Sequence, residues 1–262
     1  MAPRDHRALG VRSNIATGLL RAGRVRESAE LVDGITDEYP YADAWVSHAV
    51  RVALDTVRGR PDEAMRRLQE LQAAVPAVRE DREVTALVTP GELWWNRPDL
   101  AFQRLTRSLG DEVGSYDQIS TGECQALAVR AAADLADAGA ETRSVLRRQV
   151  DRLLAGADPT DTPSEAQHAY RAARAAELSR LAARPLPDLW AAAVTEWDTI
   201  GRPFESSYAR WRGAQAALAS GQGTLANRWL QRAAKDARDH LPLAGAIRAA
   251  QLTMEVATAR PR

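Results

Sequence analysis

Apolar positions recur along most of this chain at steps of three and four residues, the spacing that lines one face of an α-helix. The two-residue alternation of a strand is missing, and Ala, Leu, Arg, Glu and Gln dominate. The pattern predicts helices over about 6–21, 25–38, 42–58, 61–74, 78–95, 98–110, 120–138, 141–155, 164–183, 188–200, 204–220, 222–237 and 241–258. Tyr39-Pro40 stops the second helix, since proline cannot continue it, and Pro61 stands in the first turn of the fourth. Pro90-Gly91 is a candidate break in the fifth, and residues 110–120 read as a loop.

Between these helices a short phrase recurs. A glycine-type turn is followed by Arg or Gln, then by a small residue five positions after the turn and an aliphatic one nine positions after. Gly23-Arg24…Ser28…Val32 is one copy and Gly59-Arg60…Ala64…Leu68 the second. Asn96-Arg97…Ala101…Leu105 and Gly221-Gln222…Ala226…Leu230 are the third and fourth. The first three turns lie 36 and 37 residues apart, and Gly139 follows Asn96 by 43. That is the period of a helix-turn-helix repeat of the tetratricopeptide type, at about 34 residues or somewhat more. The small residue lets the second helix approach the first, and the aliphatic one fills the groove one turn along the same face. The predicted fold is therefore all-α, a right-handed superhelix (solenoid) of antiparallel helix pairs, tetratricopeptide-like. Stacked pairs bury a continuous core that no single pair could bury alone.

Residues 156–163 carry two prolines and no apolar side chain larger than alanine. They form the best linker, dividing N-terminal repeats over 1–155 from C-terminal repeats over 164–262, or a bend within one continuous solenoid. Lys+Arg and Asp+Glu balance at 35 each, which argues against nucleic acid as the main partner. The single cysteine, Cys124, excludes an intramolecular disulfide and fits a reducing cytoplasm. Residues 1–14 lack the apolar core of a signal peptide, and no run of about 18 apolar residues predicts a membrane span. Lys235 is the only lysine, and it lies inside a helical pattern, so a Walker-type phosphate loop is excluded.

The last third adds a more specific pattern. Trp190 and Trp197 precede Gly201-Arg202-Pro203-Phe204, and then come Tyr208-Ala209-Arg210-Trp211-Arg212-Gly213-Ala214-Gln215, Leu218 and the Gly221 turn. Over about 190–258 this resembles the helical-repeat arm of large bacterial LuxR-type regulators, the ATP-dependent signal-transduction kind. Over 1–155 only the general tetratricopeptide pattern is shared. Such regulators place an NTPase before the arm and a helix-turn-helix after it, and neither pattern is found in this sequence. The resemblance thus implies the arm alone, a sensing or docking surface linked to transcriptional regulation, without ATP hydrolysis or direct DNA binding. A stand-alone relative, a degenerate copy and an excised fragment all fit.

Candidate chemistry is sparse. His6, His48, His168 and His240 show no i, i+4 pairing and no HExxH, so neither a metal site nor a cofactor is expected. Cys124 lies near a predicted helix start, where its thiol could be activated, although a buried small residue is the plainer reading. A GxSxG elbow is absent. Asp33/Asp37 and Asp158/Asp161 read as a solvated helix face and a linker. Arg143, Arg147, Arg148 and Arg152 form the densest basic cluster, suited to a phosphate or an acidic tail. It is more simply a solvated face beside Glu141 and Asp151.

Seven tryptophans stand against two phenylalanines. Most read as wedges between repeats, but Trp and Arg are also the residues enriched in binding hot spots. Trp95, Arg97, Arg210 and Arg212 are the groove candidates, able to stack on and pair with a peptide or an anionic small molecule. The expectation is a non-catalytic cytoplasmic module that binds a protein or peptide partner, or a small effector, on its concave face. The alternatives are an enzyme on a helical scaffold, with His168 or Cys124 in a cleft beside a carboxylate, and a self-associating scaffold with an exposed apolar end.

Overall fold

The computed structural model describes residues 6–110, 118–155 and 163–259. Among these it has thirteen α-helices, one short 3-10 turn and no strand. The helices are α1 (His6–Arg21), α2 (Val25–Thr36), α3 (Trp45–Val57), α4 (Pro61–Ala74), α5 (Arg82–Trp94), α6 (Pro98–Gly110) and α7 (Gln118–Asp137). They continue as α8 (Arg143–Leu154), α9 (Glu165–Leu181), α10 (Pro187–Thr199), α11 (Pro203–Ala219), α12 (Gly223–Asp236) and α13 (Leu241–Ala259). The 3-10 turn spans Pro76–Arg79. The fifth helix starts later than expected, where Asp81 accepts from the Val84 amide as N-cap, and Pro90 lies inside it without ending it. The chain forms two compact units, 1–128 and 129–262, which divide within α7. The linker expected at 156–163 lies, except for Pro163, outside the described residues.

One turn geometry recurs at seven of the connections between helices. The amide of the turn residue bonds back three residues, and the next amide bonds back five, as in a Schellman motif. Gly23 to Leu20 with Arg24 to Leu19 is the first instance, and Gly59 to Thr56 with Arg60 to Asp55 the second. The same pair of bonds recurs at Asn96, Gly139, Ala183, Gly201 and Gly221, and every one of these turn residues has positive φ. At Gly23, Gly59, Asn96, Gly201 and Gly221 the following residue directly precedes the next helix. Three of the arginines at that place pair with a carboxylate in the next helix's first turn: Arg24 with Glu27, Arg97 with Asp99, Arg202 with Glu205.

The small and aliphatic positions of the repeat are buried as the pattern predicts. Ser28 and Val32, Ala64 and Leu68, Ala101 and Leu105, and Ala226 and Leu230 are all in the core. In the first unit consecutive helices pack as hairpins, and the first helices α1, α3 and α5 also pack on one another. In the second unit α9 to α13 pack in sequence, and α11 also meets α13. This is the contact pattern of a helical repeat. Arginine–carboxylate pairs clamp several hairpins. Arg67 holds the buried Asp55, Arg104 holds the buried Glu92, and Arg210 holds Asp198, each pair twelve residues apart across the turn.

The second unit has an aromatic core. Trp190 and Trp197 are buried, and Trp197 meets Tyr170 edge-on at 5.1 Å. Gly213 admits this packing, because a Cβ there would collide with the Trp229 ring and stand 2.9 Å from the Trp190 Cβ. His240 is buried at the start of α13, where its Nδ1 accepts from the Leu243 amide and its ring meets Phe204 edge-on. Burial pushes this imidazole down to about 3. His48, half-enclosed beside Tyr41 and the Tyr39 carbonyl, is lowered too, chiefly by burial.

Two predictions follow from these elements. Ala183 holds a φ of 54°, where a Cβ is penalised. Ala183→Gly is expected to stabilise the protein by about 0.5–1 kcal/mol in urea unfolding, whereas Gly59→Ala is expected to cost about 1 kcal/mol. For His240 the folded state resists protonation while the unfolded state takes a proton below about pH 6.5. Stability is therefore full above pH 6.5 and falls as pH drops toward 3, with about 2 kcal/mol lost between pH 7 and pH 5. His240→Asn keeps a capping acceptor and should remove most of that slope, leaving the His48 share; an unchanged slope by chemical denaturation would refute the assignment.

Candidate binding site

The larger candidate recess lies in the first unit, between α4 and α6, and holds about 400 Å³. Met65, Leu68 and Leu100 give it apolar surface, and Trp95 forms one wall. Gln69, Gln72 and Gln103 add amides, and Arg79, Arg97, Arg104 and Arg107 add charge. Its place follows from the packing. First helices α3 and α5 touch, whereas α4 and α6 make no comparable contact among the described residues, so a cleft opens between the second helices.

Trp95 is placed by the residue one helical turn before it. A Cβ on Gly91 would stand 2.9 Å from the Trp95 ring and 2.7 Å from the Thr56 hydroxyl of α3. Glycine at 91 therefore lets the indole lie back along α5 while α5 closes on α3. Trp94 beside it is also half-buried, but only Trp95 lines the recess.

The four arginines are not equivalent. Arg104 grips the buried Glu92 carboxylate through Nε and Nη2, at 2.6–3.1 Å, and in its satisfied amide orientation Gln72 accepts from Arg104 as well. Arg97 pairs with Asp99 at 3.1 Å, and that hydrogen bond holds the Asp99 carboxyl below its ordinary value. Arg79 and Arg107 are exposed and have no ion pair among the described residues. Among the described residues the recess thus combines an apolar floor, an indole wall, the Arg104–Glu92 pair and two guanidiniums without an ion pair.

Of the residues expected in a groove, Trp95 and Arg97 line this recess together. Arg210 and Arg212 belong to the second unit. Arg210 lines neither recess described here. It is buried, with its guanidinium taken up by Asp198, Ser206 and, at 4.0 Å, Asp236. Arg212 stacks over Trp211 at 4.2 Å and bonds Asp134, Tyr208 and Gln215. The sequence reading missed Arg79, Arg104, Arg107 and Gln72. Arg104 carried a usable signal, since Asp55/Arg67 and Glu92/Arg104 share one register, four before and eight after the turn residue.

The remaining candidates stand apart from both recesses. Cys124 is fully buried, its Sγ 3.7 Å from the Arg82 carbonyl, and His168 is exposed on α9. No group of His, Cys, Asp and Glu among the described residues is arranged to hold a metal ion. Among them, no helix is long and apolar enough to cross a membrane. Set beside protein-family models, curated proteins and solved structures, the chain matches none of them.

Proposed function

We propose that this chain is a non-catalytic docking module, a right-handed tetratricopeptide-like superhelix whose α4–α6 recess receives an acidic segment of a protein partner. The observation that carries the reading is the pair Arg79 and Arg107. They flank an apolar floor and have no carboxylate partner among the described residues, while Arg97 and Arg104 in the same recess are each paired. Uncompensated arginine beside an indole suits Asp or Glu side chains around an apolar anchor. The resemblance of residues 190–258 to the arm of LuxR-type regulators supports a place in cytoplasmic signal transduction or transcriptional regulation.

The test is selection from a random peptide display library on the full chain, followed by anisotropy measurements on the selected peptides. Acidic peptides with an aromatic or aliphatic anchor are expected, and added salt should weaken them. Arg79→Glu/Arg107→Glu should lower their affinity at least about tenfold. Failure to enrich acidic peptides, or binding indifferent to the reversal, rejects the recess as the docking site.

A second reading, self-association, is favoured by the terminal helices. Val11 and Ile15 lie one turn apart on α1 at 55% and 51% exposure, and Leu252 and Val256 lie one turn apart on α13 at 62% and 60%. Stacked repeats need such ends covered. A concentration-dependent dimer in sedimentation velocity, abolished by Val11→Ser/Ile15→Ser or by Leu252→Ser/Val256→Ser, is the expected outcome of this reading. A monomer up to about 100 μM discards it.

A further inference from the structure

A second recess, of about 250 Å³, lies in the second unit and is lined among others by Asp137, Arg143, Arg180, Trp190, Arg212 and Gln215. Its volume is below the ~300–1,000 Å³ of pockets for drug-sized ligands, so it suits a small molecule. It sits on a network that draws from four helices. Arg180 of α9 is buried and bonds Glu177, Asp134, Asp137 and the Arg130 carbonyl at 2.7–3.2 Å. Arg143 bonds the carbonyls of Arg180 and Leu181, and Asp137. Arg212 reaches Asp134 at 2.9 Å, and Arg130 lies 3.8 Å from the same carboxylate while stacking over Tyr208.

The network is rich in guanidinium groups. Four guanidiniums, of Arg130, Arg143, Arg180 and Arg212, share three carboxylates, of Asp134, Asp137 and Glu177. The Tyr208 hydroxyl donates to Glu177, and burial pushes it up to about 12, so it adds no negative charge near neutrality.

The donors are also in surplus. A guanidinium carries five N–H groups. Arg143 uses Nη1 on its two carbonyls and one Nη2 hydrogen on Asp137, which leaves Nε and the other Nη2 hydrogen. Arg212 uses Nε on Tyr208, one Nη1 hydrogen on Gln215 and one Nη2 hydrogen on Asp134, which leaves one hydrogen on each Nη. Trp190 is 1% exposed, and its Nε1–H has no acceptor among the described residues. The acceptors on the wall are already engaged, Asp137 by Arg143 and Arg180, and Gln215 by Arg212. Among the described residues, the donors that Arg143, Arg212 and Trp190 leave unused therefore exceed the unengaged acceptors on the wall.

We infer that this recess binds a small oxyanion, the phosphate or carboxylate group of a low-molecular-mass effector, held by Arg143 and Arg212 against the Trp190 indole. Arg180 supports the site from beneath by fixing Asp134 and Asp137. Paired guanidiniums present the forked donors that phosphate and carboxylate oxygens accept. The inference does not rest on peptide docking in the first unit, and either can fail without the other.

Isothermal titration of the full chain with inorganic phosphate, and separately with succinate, tests it at ionic strength held constant with sodium chloride. Saturable one-to-one binding of at least one probe by 10 mM or so is expected. The ratio of the two affinities identifies the preferred headgroup. Arg143→Gln, at a half-exposed position and checked for folding by circular dichroism, should weaken binding at least about tenfold. Trp190→Phe keeps the ring wall but removes the N–H, and should weaken it about threefold or more. Arg147→Gln, which removes an exposed arginine paired with Asp151 on the same helix, should leave it unchanged. No saturable binding of either probe, or equal affinity in both Arg143→Gln and Trp190→Phe, overturns the inference.

Discussion

The hairpins depend on a residue that accepts the left-handed backbone region between two helices. When it does, two carbonyls at the end of the first helix find amide partners, and the chain reverses within two residues. A reversal this tight leaves the second helix little freedom in where it starts. The small residue five positions later then falls at the closest approach, and the aliphatic residue one turn on falls into the core, as at Ala64 and Leu68. A longer loop would loosen both. The spacing of the repeat is thus a consequence of the turn as much as of the helices, and Asn96 and Ala183 show that glycine is the preferred but not the required residue there.

The same turn organises the electrostatics. It places residues four before and eight after it on facing sides of the hairpin. In two hairpins of the first unit these are a buried acid and an arginine, Asp55 with Arg67 and Glu92 with Arg104. A buried carboxylate without such a partner would cost several kcal/mol, so the arginine is part of the fold even where it borders a cleft. Asp134 shows the balance in the second unit. Burial alone would raise its carboxyl, and Arg180, Arg130 and Arg212 together hold it below the ordinary value. With 34 of 35 basic residues arginine, almost every such clamp has a planar fork with donors to spare.

The turn residues, helix order and buried repeat positions could be read from the sequence because they are local. Each rests on a dihedral preference or a periodic face, and both survive without knowledge of the neighbours. Pro90 shows where local reading stops. Proline predicts a break, yet α5 runs through it, with tertiary packing of Thr85, Ala86 and Thr89 in the core around it. The candidate sites were less visible for a related reason. Trp95 and Arg97 stood out by residue type and proximity in sequence, and they do share a recess. Arg210 stood out by the same criterion, but Asp198 and Ser206, twelve and four residues away, take up its guanidinium. Whether an arginine is spare depends on partners that residue type alone does not reveal.

That distinction carries the functional argument. In this chain an arginine in a cleft is weak evidence for a ligand, because the fold itself places arginines there to neutralise buried acids. Arg104 and Arg210 are of that kind. Arg79 and Arg107 are not, since they line a recess with an apolar floor and make no ion pair among the described residues. Arg143 and Arg212 are intermediate. They serve the network through some N–H groups and present others to a recess. An N–H left over after the fold's own bonds is thus a better mark of a site than a charge, and Arg143 and Arg212 keep such N–H groups.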